Sequence, residues 1–366
     1  MTAIALTIPW STAANATPSA ATKSRLTAVA LAADVNIQPA SLSIEQLTTA
    51  VDRAQAVGAR VISAGVNWRY LRPSTTKAYS WGPLDRLAGH ARARGFKLRL
   101  QLAGIPDWAR DAGSPSVAAA PWYPPSSAAE LDRWAGFVGD VTRRYADVAT
   151  YLEVWNEPNS RHFWYGEPNP AAYGRLLATS YQPIRTGAPA AKILFGGLSR
   201  NDVGFLAAVY RSLDENYPTA GRQGHFFDIL SIHPYSDNRA PVLYAPKWST
   251  PERLGVVNRN FTGYLALKSF LEARREPGKK LYIGEYGFST RGAWGYAAVS
   301  DTQRAQYLIQ AYQTAQASGY FEAFGWYCFI TTNVDGPEWS MLDATFTPNA
   351  TYRALQAVLR AGRTMP

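Results

Sequence analysis

The chain has 366 residues, 47% of them hydrophobic and 17% charged, with a formal net charge of +10. Its one cysteine, Cys328, excludes an internal disulfide and a cysteine-cluster metal site, and its apolar neighbours mark it as a small buried side chain. The basic residues are scattered, with Arg274-Arg275 and Lys279-Lys280 as the densest group, so a solvated positive surface is expected and nucleic acid is not; an anionic polysaccharide also fits the charge.

Residues 1–26 read as a flexible or export-related leader, rich in Ala, Thr and Ser, with one short apolar patch from Ile4 to Ile8 that Pro9 interrupts. The patch lacks a positive flank and is a weak signal peptide, so secretion is expected from the substrate class below. No apolar run reaches the roughly 20 residues that span a bilayer.

A single catalytic domain is expected over 27–362. Strand-like runs occur at Thr27–Asn36, Arg60–Asn67, Lys97–Ala103, Thr150–Trp155, Lys192–Gly197, Phe227–His233, Leu281–Glu285 and Phe321–Phe329. Amphipathic stretches separate them: Ile44–Val57, Pro83–Arg94, Ala128–Tyr145, Ala171–Thr186, Phe205–Glu215, Tyr264–Arg274, Asp301–Ala317 and Thr351–Leu359. Ser43, Ser127 and Asp301 suit N-caps, and Gly58, Gly95, Gly187 and Gly319 suit the left-handed position after a helix.

Eight such units predict an α/β fold, the (β/α)8 TIM barrel. Parity supports it. Leu98, Leu100 and Leu102 would pack under helices while Arg99 and Gln101 face the lumen. By the same count Leu152 and Val154 face outward and Glu153, Trp155 and Glu157 inward, with Glu153 as a buried partner for a base such as Arg99. The rival doubly wound sheet lacks support, because no Gly-rich phosphate turn follows any strand.

Two carboxylates end separate strands. Pro158 stops the strand of Tyr151-Leu-Glu-Val-Trp-Asn-Glu-Pro-Asn and leaves Glu157 at its tip, and Lys280-Leu-Tyr-Ile-Gly-Glu285-Tyr-Gly ends alike. These would top strands four and seven, on facing parts of the barrel wall. Cleaving a glycosidic bond needs one group to protonate the leaving oxygen and another to attack or stabilise the sugar cation. Each glutamate alone also fits a satisfied strand-end carboxylate, and His233 a core histidine bonded to backbone. The histidines (His90, His162, His225, His233) show no metal-ligand spacing, and no cofactor or metal is implied.

The Trp155-Asn156-Glu157-Pro158-Asn159 run, Gly284-Glu285-Tyr286-Gly287 and Ser231-Ile-His233-Pro-Tyr235 resemble the clan A retaining glycoside hydrolases, most nearly family 39 and its relatives. The resemblance implies Glu157 as acid/base, Glu285 as nucleophile and Asn156 on the sugar 2-hydroxyl. It implies His233 and Tyr235 at the strand-six edge, Tyr235 steering Glu285, and Trp326 as a floor under the reacting sugar. Asn67 and Trp68, after strand two, would join the substrate-binding set. The rim aromatics Trp108, Trp122, Trp164, Tyr244, Trp248 and Trp294 fit either sugar stacking or rim packing.

The expected partner is an oligosaccharide, polysaccharide or glycoside of plant or microbial origin. One departure stands out. Ser63 occupies the place where such families carry a strand-two arginine that holds the nucleophile, and Arg99 is the candidate replacement. A non-catalytic carbohydrate-binding barrel and a transglycosylase using the same glutamates are the alternative readings.

Overall fold

The structure, a computed structural model, describes residues 31–242, 260–292, 297–330 and 338–362. Four strands rich in Val, Ile and Leu open the sheet: β1 (Ala32–Asn36), β2 (Val61–Asn67), β3 (Lys97–Ala103) and β4 (Ala149–Asn156). Then follow β5 (Lys192–Ser199), β6 (Ile229–His233), β7 (Lys280–Ile283) and β8 (Phe321–Trp326). All neighbours pair in parallel, and β8 closes on β1 with Asp34 opposite Gly325. It is a (β/α)8 barrel.

The outer layer comprises α1 (Ile44–Val57), the single turn α2 (Trp68–Leu71), α3 (Gly82–Arg94), α4 (Ala128–Tyr145) and α5 (Pro170–Gly187). It continues with α6 (Val203–Asn216), α7 (Tyr264–Ala273), α8 (Asp301–Ser318) and α9 (Ala350–Ala361). The longer helices present apolar stripes to the sheet; α4 buries Trp134, Phe137, Val138 and Val141. Burial of one such large side chain contributes roughly 1.5–3 kcal/mol before chain entropy is subtracted. No helix of the described residues is long and apolar enough to cross a membrane.

Ser43 and Ser127 cap α1 and α4 in capping boxes with Gln46 and Glu130. The third expected cap shifts by one residue. Ser300 caps α8 by accepting the Gln303 N–H at 3.2 Å, because the Ser-x-x-Gln spacing closes a capping box; Asp301 instead accepts from Arg304 at 2.8 Å. Gly58, Gly95 and Gly319 are left-handed at helix ends, whereas Gly187 is the last residue of α5. Its lack of a side chain serves packing: a Cβ there would stand 2.9 Å from Thr142 Cγ2 on α4.

The lumen is filled in layers. An apolar plug of Val61, Tyr151, Leu194, Ile229, Tyr282 and Ala323 closes its lower part. Above it Asp34, Arg99 and Glu153 form a buried ion network. The basic segment at 274–280 lies away from this mouth and is taken up locally, Arg274 pairing with Asp214 and Lys279 with Glu276. The leader 1–26 and the aromatics Tyr244, Trp248 and Trp294 fall outside the described residues.

Candidate active site

β4 ends in a backbone irregularity that aims its functional groups. Trp155 and Glu157 both adopt positive φ, 72° and 40°, a region that costs non-glycine residues about 1–3 kcal/mol each and gathers at functional sites. The bend breaks the strand's inside–outside alternation. Trp155, expected in the lumen, turns outward, its indole donating to the Phe163 carbonyl at 2.7 Å and its ring set edge-on against Trp122 and Trp164. Asn156 takes the inward place, accepting from Gln101 Nε2 at 2.9 Å. Glu157 follows, nearly buried.

Glu285, two residues past the end of β7, meets it. A carboxylate oxygen from each glutamate and the His233 Nδ1 atom all lie within 4.8 Å of one another. His233 stands between the acids, with Nδ1 2.8 Å from Glu157 Oε1 and 3.6 Å from Glu285 Oε2. Tyr235 donates its hydroxyl to Glu285 Oε2 at 3.2 Å. Glu157 keeps 12% of its side-chain surface open and Glu285 24%, while His233 is fully enclosed.

Two glycines make room for that histidine. A Cβ on Gly197 of β5 would lie 2.0 Å from His233 Nε2, and one on Gly284 would lie 2.9 Å from the same atom. Any larger residue at either position would displace the ring, and with it the link between the glutamates.

Burial pushes the Glu285 carboxyl up, and the charge of Glu157 adds to this. His233 and Arg99 pull the other way without cancelling it, so the net direction is upward. Burial alone would lower the His233 imidazole, but Glu285 and then Glu157 outweigh it and raise the ring above its ordinary value. Both upward shifts arise because Glu285 and His233 are enclosed together beside further carboxylates.

Beneath Glu285, Arg99 crosses the lumen from β3. It donates to Asp34 Oδ2 at 2.8 Å, to Glu153, and to the Gly284 carbonyl at 2.9 Å. Glu153 is therefore its buried partner. Tyr282 also donates to Asp34 Oδ2, at 2.9 Å. Ser63 lines the same cleft but is too short to fill an arginine's role.

That cleft holds about 420 Å³ of empty space and is lined by Asp34, Asn36, Gln38, Gln101, Glu285 and Trp326 among others. Trp326 stands edge-on to Tyr286 at 5.9 Å, and its Nε1 makes no hydrogen bond among the described residues. Asp34, Asn36 and Gln38 escaped sequence reasoning. The signal was present, since Asp34 is the lone charge in the apolar run Leu31-Ala-Ala-Asp-Val.

One expected substrate contact lies elsewhere. Trp68 shares its parity with Ile62, Ala64 and Val66, so it faces the helices, stacked on Phe137 at 5.0 Å and nearly inaccessible. Asn67 shares the inward parity of Ser63 and Gly65 and sits at the top of β2 against β3, where a Cβ on Gly104 would collide with its Oδ1. Trp164 is likewise buried. Trp108 and Trp122 are half-buried, the first bonded to the Arg72 carbonyl and the second packed on Phe163.

No protein-family model and no curated protein sequence matches the chain. Solved structures do. A family 39 glycoside hydrolase from Bacteroides cellulosilyticus superposes with a TM-score of 0.66 at 18% identity, covering 91% of this chain and 64% of that one. A monomeric beta-xylosidase from Caulobacter crescentus gives 0.64 at 16%, covering 89% and 67%. A glucosidase from Croceicoccus marinus gives 0.66 at 14%, covering 91% and 68%. The fold is the one these glycoside hydrolases share. The chain spans about two thirds of the length of each of these three, and at such identities the likeness is one of fold.

Proposed function

We propose that the protein is a retaining glycoside hydrolase that cleaves O-glycosidic bonds by double displacement, with Glu285 as nucleophile and Glu157 as acid/base. The observation that carries this reading is the approach of the two carboxylates to within 4.8 Å at one mouth. Retaining enzymes hold their carboxyl groups about 5–5.5 Å apart, whereas inverting ones leave roughly 6.5–9.5 Å for a water.

In the first step a Glu285 oxygen bonds the anomeric carbon as the bond to the leaving oxygen breaks, and Glu157 delivers a proton to that oxygen. In the second, Glu157 takes a proton from water, the water oxygen bonds the anomeric carbon, and Glu285 departs as carboxylate. Forming the ester removes the negative charge of Glu285, which contributes most to raising His233, so the histidine's hold on a proton weakens as Glu157 must act as base. Tyr235 fixes the attacking oxygen. Asn156, held by Gln101, is placed for the sugar 2-hydroxyl, and Trp326 floors the cleft.

Arg99 is proposed to hold Glu285 in place of the arginine absent at Ser63, acting through the Gly284 carbonyl and through its charge. Since Arg99 lowers the Glu285 carboxyl, its removal leaves that acid protonated to higher pH. Arg99→Gln should therefore move the acidic limb of the kcat/KM profile upward. It should also destabilise the fold by about 3–5 kcal/mol, because Asp34 and Glu153 lose their buried partner. Asp34→Asn added to Arg99→Gln should recover part of the stability but not the pH limb. A limb unmoved in both variants contradicts the role.

A panel of aryl glycosides tests the overall reading, with the anomer first released identified by NMR. Turnover that depends on Glu285 and gives retained product is expected. Saccharide binding with no Glu285-dependent turnover on any sugar would instead make this a carbohydrate-binding barrel. A transglycosylase would share the first step and pass the sugar to another saccharide.

A further inference from the structure

A second cleft, of about 550 Å³ of empty space, is lined by Asn159, Ser160, Arg161, His162, Ser199, Arg200 and Asp202. Every lining side chain is polar. The cleft belongs to the loops that follow β4 and β5, the first tied to Glu157 and the second to its partner His233. Ser160 N–H donates to the Glu157 carbonyl at 2.9 Å, and Arg200 N–H donates to the His233 carbonyl at 3.2 Å. Glu285, in contrast, lines only the first cleft.

The walls are rigid. The Asn159 side chain accepts from Ser199 N–H at 3.0 Å and donates to the Ser199 carbonyl at 3.0 Å and to Asp202 Oδ2 at 3.3 Å. Asp202 Oδ1 accepts the Phe205 N–H at 2.9 Å as the N-cap of α6, so both its oxygens are engaged. Arg200 and Asn201 are consecutive left-handed residues, with φ of 58° and 51°, strain held at the rim of the cleft. The one acid of the lining is thus already satisfied. Of the two arginines, Arg161 pairs with Glu167 at the exposed rim, while the Arg200 guanidinium has no ion pair among the described residues.

We infer that this cleft receives the leaving group and selects one that carries a carboxylate, such as a uronate unit, with Arg200 as its anchor. The inference rests on the glycoside-hydrolase reading. The chain that carries the acid runs on from Glu157 directly into the wall of the second cleft at Asn159 and Ser160, while Glu285 lines the first; on this reading the sugar that stays with Glu285 occupies the first and the departing group enters the second. A planar guanidinium with no ion pair among the described residues matches a carboxylate in two parallel hydrogen bonds. The chain's net charge of +10 favours such a substrate at a distance.

The test uses the full chain and two aryl glycosides of one sugar, one with a ring carboxylate and one with its methyl ester, chosen for equal leaving-group acidity. The carboxylate should have the lower KM by about tenfold, the size of one charged hydrogen-bonding contact. Arg200→Gln should bring the two KM values together, Arg200→Lys should keep part of the difference, and added salt should shrink it. Equal KM values in the wild type, or a difference that survives Arg200→Gln, overturns the inference while leaving the hydrolase reading intact. Should no aryl glycoside turn over, the hydrolase reading fails on its own, and calorimetric titration with D-glucuronate against D-glucose decides the cleft. Glucuronate binding lost in Arg200→Gln upholds an anion site there; equal or absent binding of the two sugars overturns it.

Discussion

Glu285→Gln should reduce kcat by on the order of 10⁴–10⁶ on every glycoside that the wild type cleaves, as loss of a covalent nucleophile does elsewhere. The amide is nearly isosteric, and the Tyr235 hydroxyl at 3.2 Å and the His233 ring at 3.6 Å can both remain in place around it. The loss should therefore appear in kcat with the melting temperature little changed, and substrate should still bind. Burst kinetics on an activated aryl glycoside would disappear. Turnover within tenfold of wild type would show that another group attacks, and the roles drawn here would fail.

Glu157→Ala should behave differently with different leaving groups. A poor leaving group needs the proton, so its kcat/KM should fall by roughly 10²–10⁴. An activated aryl group leaves without it, so Glu285 should still be glycosylated, and the covalent enzyme should accumulate because no base draws in water. Azide, small and already anionic, fits the space freed by the side chain and should restore turnover, giving a glycosyl azide of retained configuration. A uniform loss across leaving groups with no azide rescue would remove Glu157 from the acid/base role. The wild-type pH profile should fall on both sides. Its acidic limb should lie above the ordinary carboxylate range, because burial and Glu157 raise Glu285.

The barrel was legible because its two periodicities are clean. Leu98, Leu100 and Leu102 alternate with Arg99 and Gln101, and the structure buries the leucines under helices while Arg99 and Gln101 face the lumen. The glutamates were legible because proline and glycine punctuate the strands that carry them. What escaped was whatever depends on a local break in period. Nothing in Val154-Trp155-Asn156 announces that the backbone turns at Trp155 and exchanges the inward residue. Trp68 was misplaced for the opposite reason: the parity of β2 runs on through it, and its attraction as a sugar platform obscured that. The approach of His233 to both acids depends on Gly197 and Gly284, whose missing side chains acquire meaning only once three strands are set side by side.

The most direct measurement is the mass of the intact protein after incubation with 2-deoxy-2-fluoro glycosides bearing a dinitrophenyl leaving group, followed by peptide mapping of the adduct. One sugar of the panel should inactivate the enzyme, add a single fluoroglycosyl unit and leave it on Glu285. A label on any other residue, or hydrolysis of the parent sugar with inverted product and no adduct, would contradict a covalent reaction between these two glutamates.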